Sequence, residues 1–268
     1  MSQAASPNVT TKKDKPLIIG HRGASATAPE NTLAAFRQAF ACGADGIELD
    51  VRLARDGIPV VIHDRTLRRT GLVAGPVNGL DSAQLSQVDV GTWFNRANPK
   101  FARDEFAAEH VPTLDQVFRL CRNRRATIYV EMKSERDSIA KDLADAVAKL
   151  VNTFKFQDRV VVVSFNLAAI ATLKKFDSSI RTGALFGSTS TDSRNWRASL
   201  LARAADCGAD ELLLYHLLAR RKLVEKAHEA NLPVVVWTVD RAKWLERARI
   251  LGLHALITNH PAKLLTAL

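Results

Sequence analysis

Short apolar runs alternate with amphipathic segments along almost the whole chain after residue 16. The runs are rich in β-branched residues and apolar on both faces, a pattern that is typical of buried parallel strands. They comprise 17–20, 46–53, 127–132, 160–165, 182–186, 211–215, 234–238 and 255–258. Apolar residues at helical spacing, such as Leu143, Val147 and Leu150, mark the segments between them. Because consecutive parallel strands need crossover helices, this order predicts an α/β fold, a closed (β/α)8 TIM barrel.

One further apolar run, 60–63, does not fit this alternation. The link 54–58 is too short for a parallel crossover, and its Asp56-Gly57 pair is a strong tight-turn signal. The run is therefore predicted to fold back as a β-hairpin on the strand 46–53. This turn brings His63 opposite, or nearly opposite, Asp50.

The barrel pattern stops between residues 64 and about 112, a stretch rich in glycine and proline. We expect a small insertion here, after the second strand and on the catalytic face, either as a lid or pocket wall or as a plain loop. The polar start predicts a disordered tail over residues 1–16. Residues 17–268 are then a single barrel domain with this insertion.

Composition narrows the class of protein further. The chain has 268 residues, of which 47% are hydrophobic, enough for a large core. No run of about 18 apolar residues is present, so no stable membrane insertion is expected. Three scattered cysteines and the polar start, which lacks a signal peptide, predict a reducing, cytoplasmic location. The net charge of +10 fits a solvated basic surface or attraction of an anionic substrate, and no nucleic-acid module accompanies it.

Acidic side chains occupy two strands near their carboxyl ends, where the active site of a TIM barrel lies. Glu48 and Asp50 are two residues apart and share one face of their strand; Glu131 and Lys133 repeat that spacing. Three carboxylates at one barrel mouth repel one another unless they are neutralised. Oxygen ligands favour one hard divalent cation, Mg²⁺ or Ca²⁺, over Zn²⁺. A proton-sharing cluster, or salt bridges to Lys133 and Arg22, is the alternative.

Two histidines, His21 and His63, are predicted at the same mouth. Because their ordinary pKa lies near 6.5, one can accept a proton while the other donates one, and phosphodiester cleavage needs both steps. Arg22 and Lys133 can offset phosphate charge. Trp237, at a later strand end, either walls the substrate pocket or is an ordinary core aromatic. Other strand ends offer Ser164 and His216 as candidates, and Asn31 either hydrogen-bonds the site's ligands or caps the helix that follows it.

These residues fall in segments that resemble the glycerophosphodiester phosphodiesterase family, in its bacterial cytoplasmic form. The segments are GHRGASATAPENTLAAF, DGIELDVRLARDGIPVVIHD, YVEMK, VVVSFN and VVVWTVD, and the resemblance covers Leu17 to Pro261. It implies a TIM barrel with a small insertion. It also implies hydrolysis of glycerophosphocholine or glycerophosphoethanolamine, both small molecules, to sn-glycerol 3-phosphate and an alcohol.

The resemblance also implies a role for each site residue. By this resemblance, His21 and His63 are the acid–base pair, and Glu48, Asp50 and Glu131 bind a divalent cation (Mg²⁺, Ca²⁺ or Mn²⁺). Arg22 and Lys133 bind the phosphate, and Trp237 contacts the glycerol or the leaving group. One departure stands out, because Asn259 occupies a position where the family commonly has aspartate. That difference puts any role of the position in doubt and leaves the central set complete.

Two rival functions stay open at this point. One is a lysophospholipase D or a sphingomyelinase D-like enzyme on the same barrel, which must admit an acyl chain. The other is a non-catalytic phosphodiester-binding protein, which has no need of a proton donor and acceptor. The sequence also leaves open whether water or the glycerol hydroxyl attacks, which histidine is the acid, and whether the chain is a monomer or a homodimer.

Overall fold

The computed structural model describes residues 15–134, 137–188 and 196–268. The predicted N-terminal tail therefore lies almost wholly outside the described residues. Strands and helices alternate as the hydrophobic pattern predicts. The strands are β1 (Leu17–His21), β2 (Gly46–Leu53), β3 (Pro59–Val61), β4 (Thr127–Met132), β5 (Val160–Ser164), β6 (Arg181–Phe186), β7 (Glu211–Tyr215), β8 (Val234–Trp237) and β9 (Ala255–Thr258).

The helices follow the same order. They are α1 (Leu33–Ala41), α2 (Ser82–Leu85), α3 (Thr92–Ala97), α4 (Leu114–Cys121), α5 (Asp137–Phe154), α6 (Leu167–Phe176), α7 (Trp196–Asp206), α8 (Arg221–Glu229), α9 (Lys243–Leu251) and α10 (Pro261–Thr266). The predicted bounds of the barrel strands differ by one residue in β1, β5, β6 and β8 and agree in β2, β4, β7 and β9, whereas the hairpin strand predicted at 60–63 spans 59–61.

Eight parallel strands close into a barrel, which confirms the predicted TIM fold. The order runs β1-β9-β8-β7-β6-β5-β4-β2, and β1 also pairs with β2 to complete the ring. One apolar layer lies between the sheet and its helices, and a second fills the barrel interior with residues such as Tyr129, Val161 and Leu213. Both faces of the strands are therefore buried, as their continuous apolarity indicates.

The predicted hairpin is also confirmed. β3 pairs antiparallel to the end of β2, with Val51 opposite Val61. Gly57, at φ +76°, makes the turn possible, since this backbone region favours glycine. The amide of Ile62 donates to the carbonyl of Asp50 at 3.0 Å. Ile62 is thus opposite Asp50, and His63 follows one residue later, in agreement with its predicted place nearly opposite Asp50.

The segment after the hairpin contains α2, α3 and three short 3₁₀ turns, in agreement with the predicted insertion. Its aromatic residues Phe94 and Phe106 meet edge to face, with ring centroids 5.8 Å apart. They are buried against Ala28 and Ala35, which belong to the β1–α1 connection and to α1. Gly91 is needed for this approach, because a Cβ there would lie 1.6 Å from the carbonyl oxygen of Phe106. The insertion is therefore anchored beside the first strand of the barrel.

A charged group closes the amino end of the barrel, opposite the predicted mouth. Glu211, only 1% exposed, accepts a hydrogen bond from the Tyr129 hydroxyl at 2.8 Å and forms an ion pair with Arg181. Burial and the neighbouring carboxylate raise the pKa of Tyr129 well above its usual value. Buried charge is tolerated here because both partners are present.

Replacing Glu211 with alanine is expected to lower the free energy of unfolding by about 2–3 kcal/mol, because a charged hydrogen bond is lost and buried Tyr129 is left unpaired. Urea denaturation measures this effect. Glu225→Ala, which breaks an exposed pair on α8, is the matched control and is expected to change stability little. An unchanged urea midpoint for Glu211→Ala would show that Glu211 does not stabilise the barrel.

Within the described ranges, no helix has the length and apolarity needed to cross a membrane.

Candidate active site

The connection after β1 places the first histidine and its neighbouring arginine at the barrel mouth. His21 is the last residue of β1, and Arg22 and Gly23 both adopt positive φ, at +52° and +83°. A Cβ on Gly23 would lie 2.6 Å from the backbone of Ala35, so the sharp turn requires glycine. Arg22 also donates its backbone amide to the Glu48 carboxylate at 3.0 Å. The turn thus fixes both side chains beside the acidic strand β2.

Three buried carboxylates meet at this mouth, as predicted. Glu48 and Asp50 share one face of β2, and Asp50 is paired in register with Glu131 on β4. Each offers an oxygen that lies within 4.8 Å of the others. The predicted salt bridges are also present: Lys133 Nζ lies 3.0 Å from Asp50 and 2.6 Å from Glu131, and Arg22 Nε lies 3.1 Å from Asp50. The carboxylate cluster and the salt bridges are therefore present together.

The pKa shifts of the three carboxyl groups indicate an excess of negative charge in the cluster. Lys133 and Arg22 hold the pKa of Asp50 far below its usual value despite burial. Burial and repulsion from the other two carboxylates raise the pKa of Glu48 well above normal. Burial raises the pKa of Glu131 to about 7, against the attraction of Lys133. A divalent cation fits this all-oxygen cluster, because it would neutralise the two carboxylates that the cationic side chains leave under-compensated.

His21 is held by an amide. Its Nδ1 lies 2.7 Å from Asn259 Oδ1, and the Asn259 side-chain amide donates to Asp240 at 2.9 Å. Since that donation directs the amide oxygen towards the ring, Nδ1 carries the hydrogen, and Nε2 of the neutral ring is free to accept a proton. Burial and the charge of Arg22 lower the pKa of His21 to about 4. Asn259, the departure from the family pattern, thus directly contacts a predicted catalytic histidine.

His63 is held by a carboxylate. Its Nδ1 lies 2.7 Å from Asp64 Oδ1, and Arg69 binds the same carboxylate at 2.8 Å. Burial lowers the pKa of His63, although the charge of Asp50 opposes the change. The two histidines therefore have partners of different charge.

A single cavity of about 210 Å³ joins the predicted residues. Its charged half is formed by His21, Arg22, Glu48, His63, Glu131 and Lys133. Its apolar half is formed by Val163, Phe165, Leu185, Leu213, Trp237 and Ile257. All the charged residues precede β5 in the chain, and all the apolar ones belong to β5 or later. Asp50 lies behind the charged half, in contact with Lys133 and Arg22.

Trp237 lines the cavity, which is the first of the two alternatives open for its position at a strand end. Its ring meets Phe165 edge to face, with centroids 5.5 Å apart. Other strand-end candidates lie outside the cavity lining: Ser164 donates its hydroxyl to the Met132 carbonyl, and His216 stacks on Tyr215. These two residues are thus structural neighbours of the site.

Sequence reasoning missed most of the groups that hold the site residues, with Asn31 as the exception. Asn31, predicted either to touch the site's ligands or to cap α1, exchanges two hydrogen bonds with Asp50, and Thr32 makes the cap. Asp64 contacts His63, and Asp240 accepts from Asn259, which holds His21. Asp64 is also adjacent to His63 in the sequence. That adjacency is a usable signal. Arg69 lies in an irregular loop, and no periodicity indicates it.

A closed (β/α)8 barrel with two histidines and a buried carboxylate cluster at the carboxyl ends of its strands has the architecture of a TIM-barrel enzyme. A model of the glycerophosphoryl diester phosphodiesterase family matches residues 21–263. The chain therefore belongs to the glycerophosphodiester phosphodiesterase family, and it is an enzyme of that type. This membership sets aside the non-catalytic alternative.

Individual relatives agree with the family assignment. A glycerophosphodiester phosphodiesterase of Caldanaerobacter subterraneus is 33% identical over 251 residues, covering 94% of this chain and 97% of the relative. An Oleispira antarctica phosphodiesterase, solved with the product sn-glycerol-3-phosphate, superposes with a TM-score of 0.82 at 26% identity, covering 94% of this chain and 96% of that one. The Agrobacterium tumefaciens enzyme gives a TM-score of 0.76 at 28% identity, covering 94% and 99%.

Proposed function

We propose that this enzyme hydrolyses glycerophosphodiesters such as glycerophosphocholine and glycerophosphoethanolamine to sn-glycerol 3-phosphate and an alcohol, with a divalent cation and His21 and His63 as acid and base. The observation that supports this most is the cavity that contains both imidazoles, the Glu48 and Glu131 carboxylates and two cationic side chains. The product held by the Oleispira antarctica phosphodiesterase adds support for the substrate class.

Arg22 and Lys133 bind the phosphate in this proposal. Both line the cavity, and both are held by ion pairs to Asp50 from opposite sides. Because Asp50 is itself buried and anchored by Asn31, the two cations are pre-positioned before substrate arrives. Fixed positive charge in the cavity stabilises the charge that develops on the phosphoryl oxygens.

Glu48, Asp50 and Glu131 hold the cation, Mg²⁺ or Ca²⁺ with Mn²⁺ also compatible. When bound, the cation supplies Lewis-acid polarisation of a phosphoryl oxygen. The protein's part is to present three oxygens from two adjacent strands, with Glu48 fixed by the backbone amide of Arg22. Rigid strands hold such ligands better than loops do.

The two histidines move the protons. One imidazole takes a proton from the attacking water or glycerol hydroxyl, and the other gives a proton to the departing alkoxide. His21 presents Nε2 because its Nδ1–H is bound by Asn259, and His63 presents Nε2 because Nδ1 faces Asp64. Both reactive nitrogens are thus aimed away from the partners that orient the rings.

Trp237 lies against the glycerol or the leaving group in this arrangement, together with the apolar residues of the later strands. We propose that the enzyme acts on small molecules in the cytoplasm as a monomer or homodimer, without a nucleic-acid partner. The working unit is one domain, residues 17–268, with the insertion at about 64–112.

Release of sn-glycerol 3-phosphate from glycerophosphocholine, coupled to glycerol-3-phosphate dehydrogenase, tests the proposal. We expect turnover with added Mg²⁺, Ca²⁺ or Mn²⁺, and much weaker turnover of lysophosphatidylcholine. Lysophosphatidylcholine tests the lysophospholipase D alternative, since the apolar half of the cavity is the feature that favours a tailed substrate. Preferential cleavage of the tailed substrate would replace the proposed function with that alternative.

A further inference from the structure

One guanidinium outside the cavity lining contacts the carboxylates that support both sides of the site. Arg69 donates to Asp64 through Nε at 2.8 Å and through Nη2 at 3.1 Å. It also donates to Glu30 through Nη1 at 2.8 Å and through Nη2 at 2.7 Å. Such doubly bidentate binding uses both edges of the planar guanidinium.

Each of these carboxylates in turn holds a group that the proposed function uses. Asp64 contacts His63 Nδ1 at 2.7 Å, and Glu30 accepts from Arg22 Nη1 at 2.8 Å. Arg69 is therefore one contact away from a proposed acid–base residue and from a proposed phosphate-binding residue. It touches neither directly and is absent from the cavity lining.

The network depends on Arg69 for its charge balance. The Glu30 and Asp64 side chains are only 13% and 27% exposed, so their mutual repulsion is weakly screened by solvent. Hydrogen bonds from Arg69 are the main influence that lowers the pKa of Asp64. Without the guanidinium, repulsion between Glu30 and Asp64 is no longer offset. His63 and Arg22 then lose the residue that links the carboxylates holding them.

The insertion keeps Arg69 in place. The Arg69 guanidinium lies 5.6 Å from the centroid of the Trp93 ring on α3, at cation–π distance. Trp93 donates its indole N–H to the Val90 carbonyl and packs with the buried Phe94 cluster. The ring therefore covers one side of the guanidinium while two carboxylates occupy its edges.

We propose that Arg69 is a positioning residue that sets His63 and Arg22 relative to each other, and that the insertion serves to hold it. This inference rests on the proposed function, since it assigns Arg69 an effect only through groups used there. The fork geometry matters as much as the charge, because a lysine ammonium cannot reach both carboxylates with paired bonds.

The test compares Arg69→Met, Arg69→Lys and the neighbouring control Arg68→Met, which removes one exposed charge from the same loop. In the glycerophosphocholine assay we expect Arg69→Met to lower kcat by about 10²-fold, as small misplacements of catalytic groups do. The kcat of Arg69→Lys should be roughly 10-fold or more below that of the wild type, because lysine keeps the charge and loses the forked geometry of the guanidinium. Arg68→Met should retain wild-type kcat.

Two further measurements separate positioning from general stability. Guanidinium chloride at millimolar, non-denaturing concentration should restore part of the kcat of Arg69→Ala and leave Arg68→Ala unaffected. In a Glu30→Gln/Asp64→Asn background, Arg69→Met should cost less than about 3-fold, because the carboxylates it bridges are already neutral.

A wild-type kcat in a folded Arg69→Met protein would overturn the inference. So would a loss of kcat on Arg69→Met that is as large in the Glu30→Gln/Asp64→Asn background as in the wild type. Thermal unfolding monitors folding of each variant, and Arg69→Lys carries the test if Arg69→Met does not fold. Inactivity of the wild-type enzyme on glycerophosphodiesters would instead count against the proposed function, so the two failures are distinguishable.

Discussion

Replacing His63 with glutamine is expected to lower kcat for glycerophosphocholine by roughly 10²- to 10⁴-fold, the usual contribution of one general acid or base. Glutamine fills similar space and keeps a hydrogen-bonding group facing Asp64, but it cannot carry a proton between reactants. KM should change much less than kcat, since the proposed function assigns phosphate binding to Arg22 and Lys133.

His21→Gln should show a loss of similar size for the same reason. His228→Gln, on the exposed surface of α8, is the matched control and should retain wild-type kcat. Steady-state kinetics with thermal unfolding curves for all three variants provide the measurement. If His21→Gln and His63→Gln fold and turn over at the wild-type rate, neither imidazole transfers a proton in the reaction.

Removal of divalent cations is the second large effect that we expect. Dialysis against EDTA should reduce kcat by about 10³-fold, since Lewis-acid stabilisation contributes several kcal/mol to the transition state. Mg²⁺, Ca²⁺ or Mn²⁺ added back in separate samples should restore activity to different extents. Activity that survives thorough chelation would remove the cation from the mechanism.

Thermal stability offers a readout of the same cation that does not depend on catalysis. A ligand that binds only the folded protein raises its melting temperature as the ligand concentration rises. Glu48→Gln should abolish that rise while folding normally without metal, because burial and two neighbouring carboxylates already penalise charge on Glu48. Glu246→Gln, on the exposed face of α9, is the control and should keep the wild-type response. A persisting rise in Glu48→Gln would exclude Glu48 as a ligand.

The barrel itself was predictable because its strands are buried on both faces. Continuous apolar runs such as 160–164 mark such strands whatever the partner, and short connections then restrict their order. The hairpin was predictable from the local turn chemistry of Asp56-Gly57. The interior of the insertion was not, because Phe94 and Phe106 meet through a close backbone approach at Gly91 that no periodicity encodes.

The candidate site likewise has a part that the sequence predicts and a part that it does not. Residues on strands, such as Glu48 and Glu131, follow from the rule that barrel sites lie at carboxyl ends of strands. The groups that orient them come from loops and from distant positions. His21 and Asn259 are 238 residues apart, and Arg69 and Glu30 are 39 apart. Such contacts depend on loop conformations, including positive φ at Arg22 and Asn31, that only the folded chain reveals.

The cavity's two walls come from different halves of the chain, and this has an evolutionary consequence. The charged lining residues lie on β1, β2 and β4 or shortly after β1, β3 and β4, whereas β5 to β9 and the residue after β5 supply only hydrocarbon and aromatic surface there. Under the proposed function, diversification of the later strands can therefore alter which alcohols fit without disturbing proton transfer. Chimeras joined between Lys133 and Val160 are the natural route to new head-group preferences, provided that Asp240 and Asn259 are kept to hold His21.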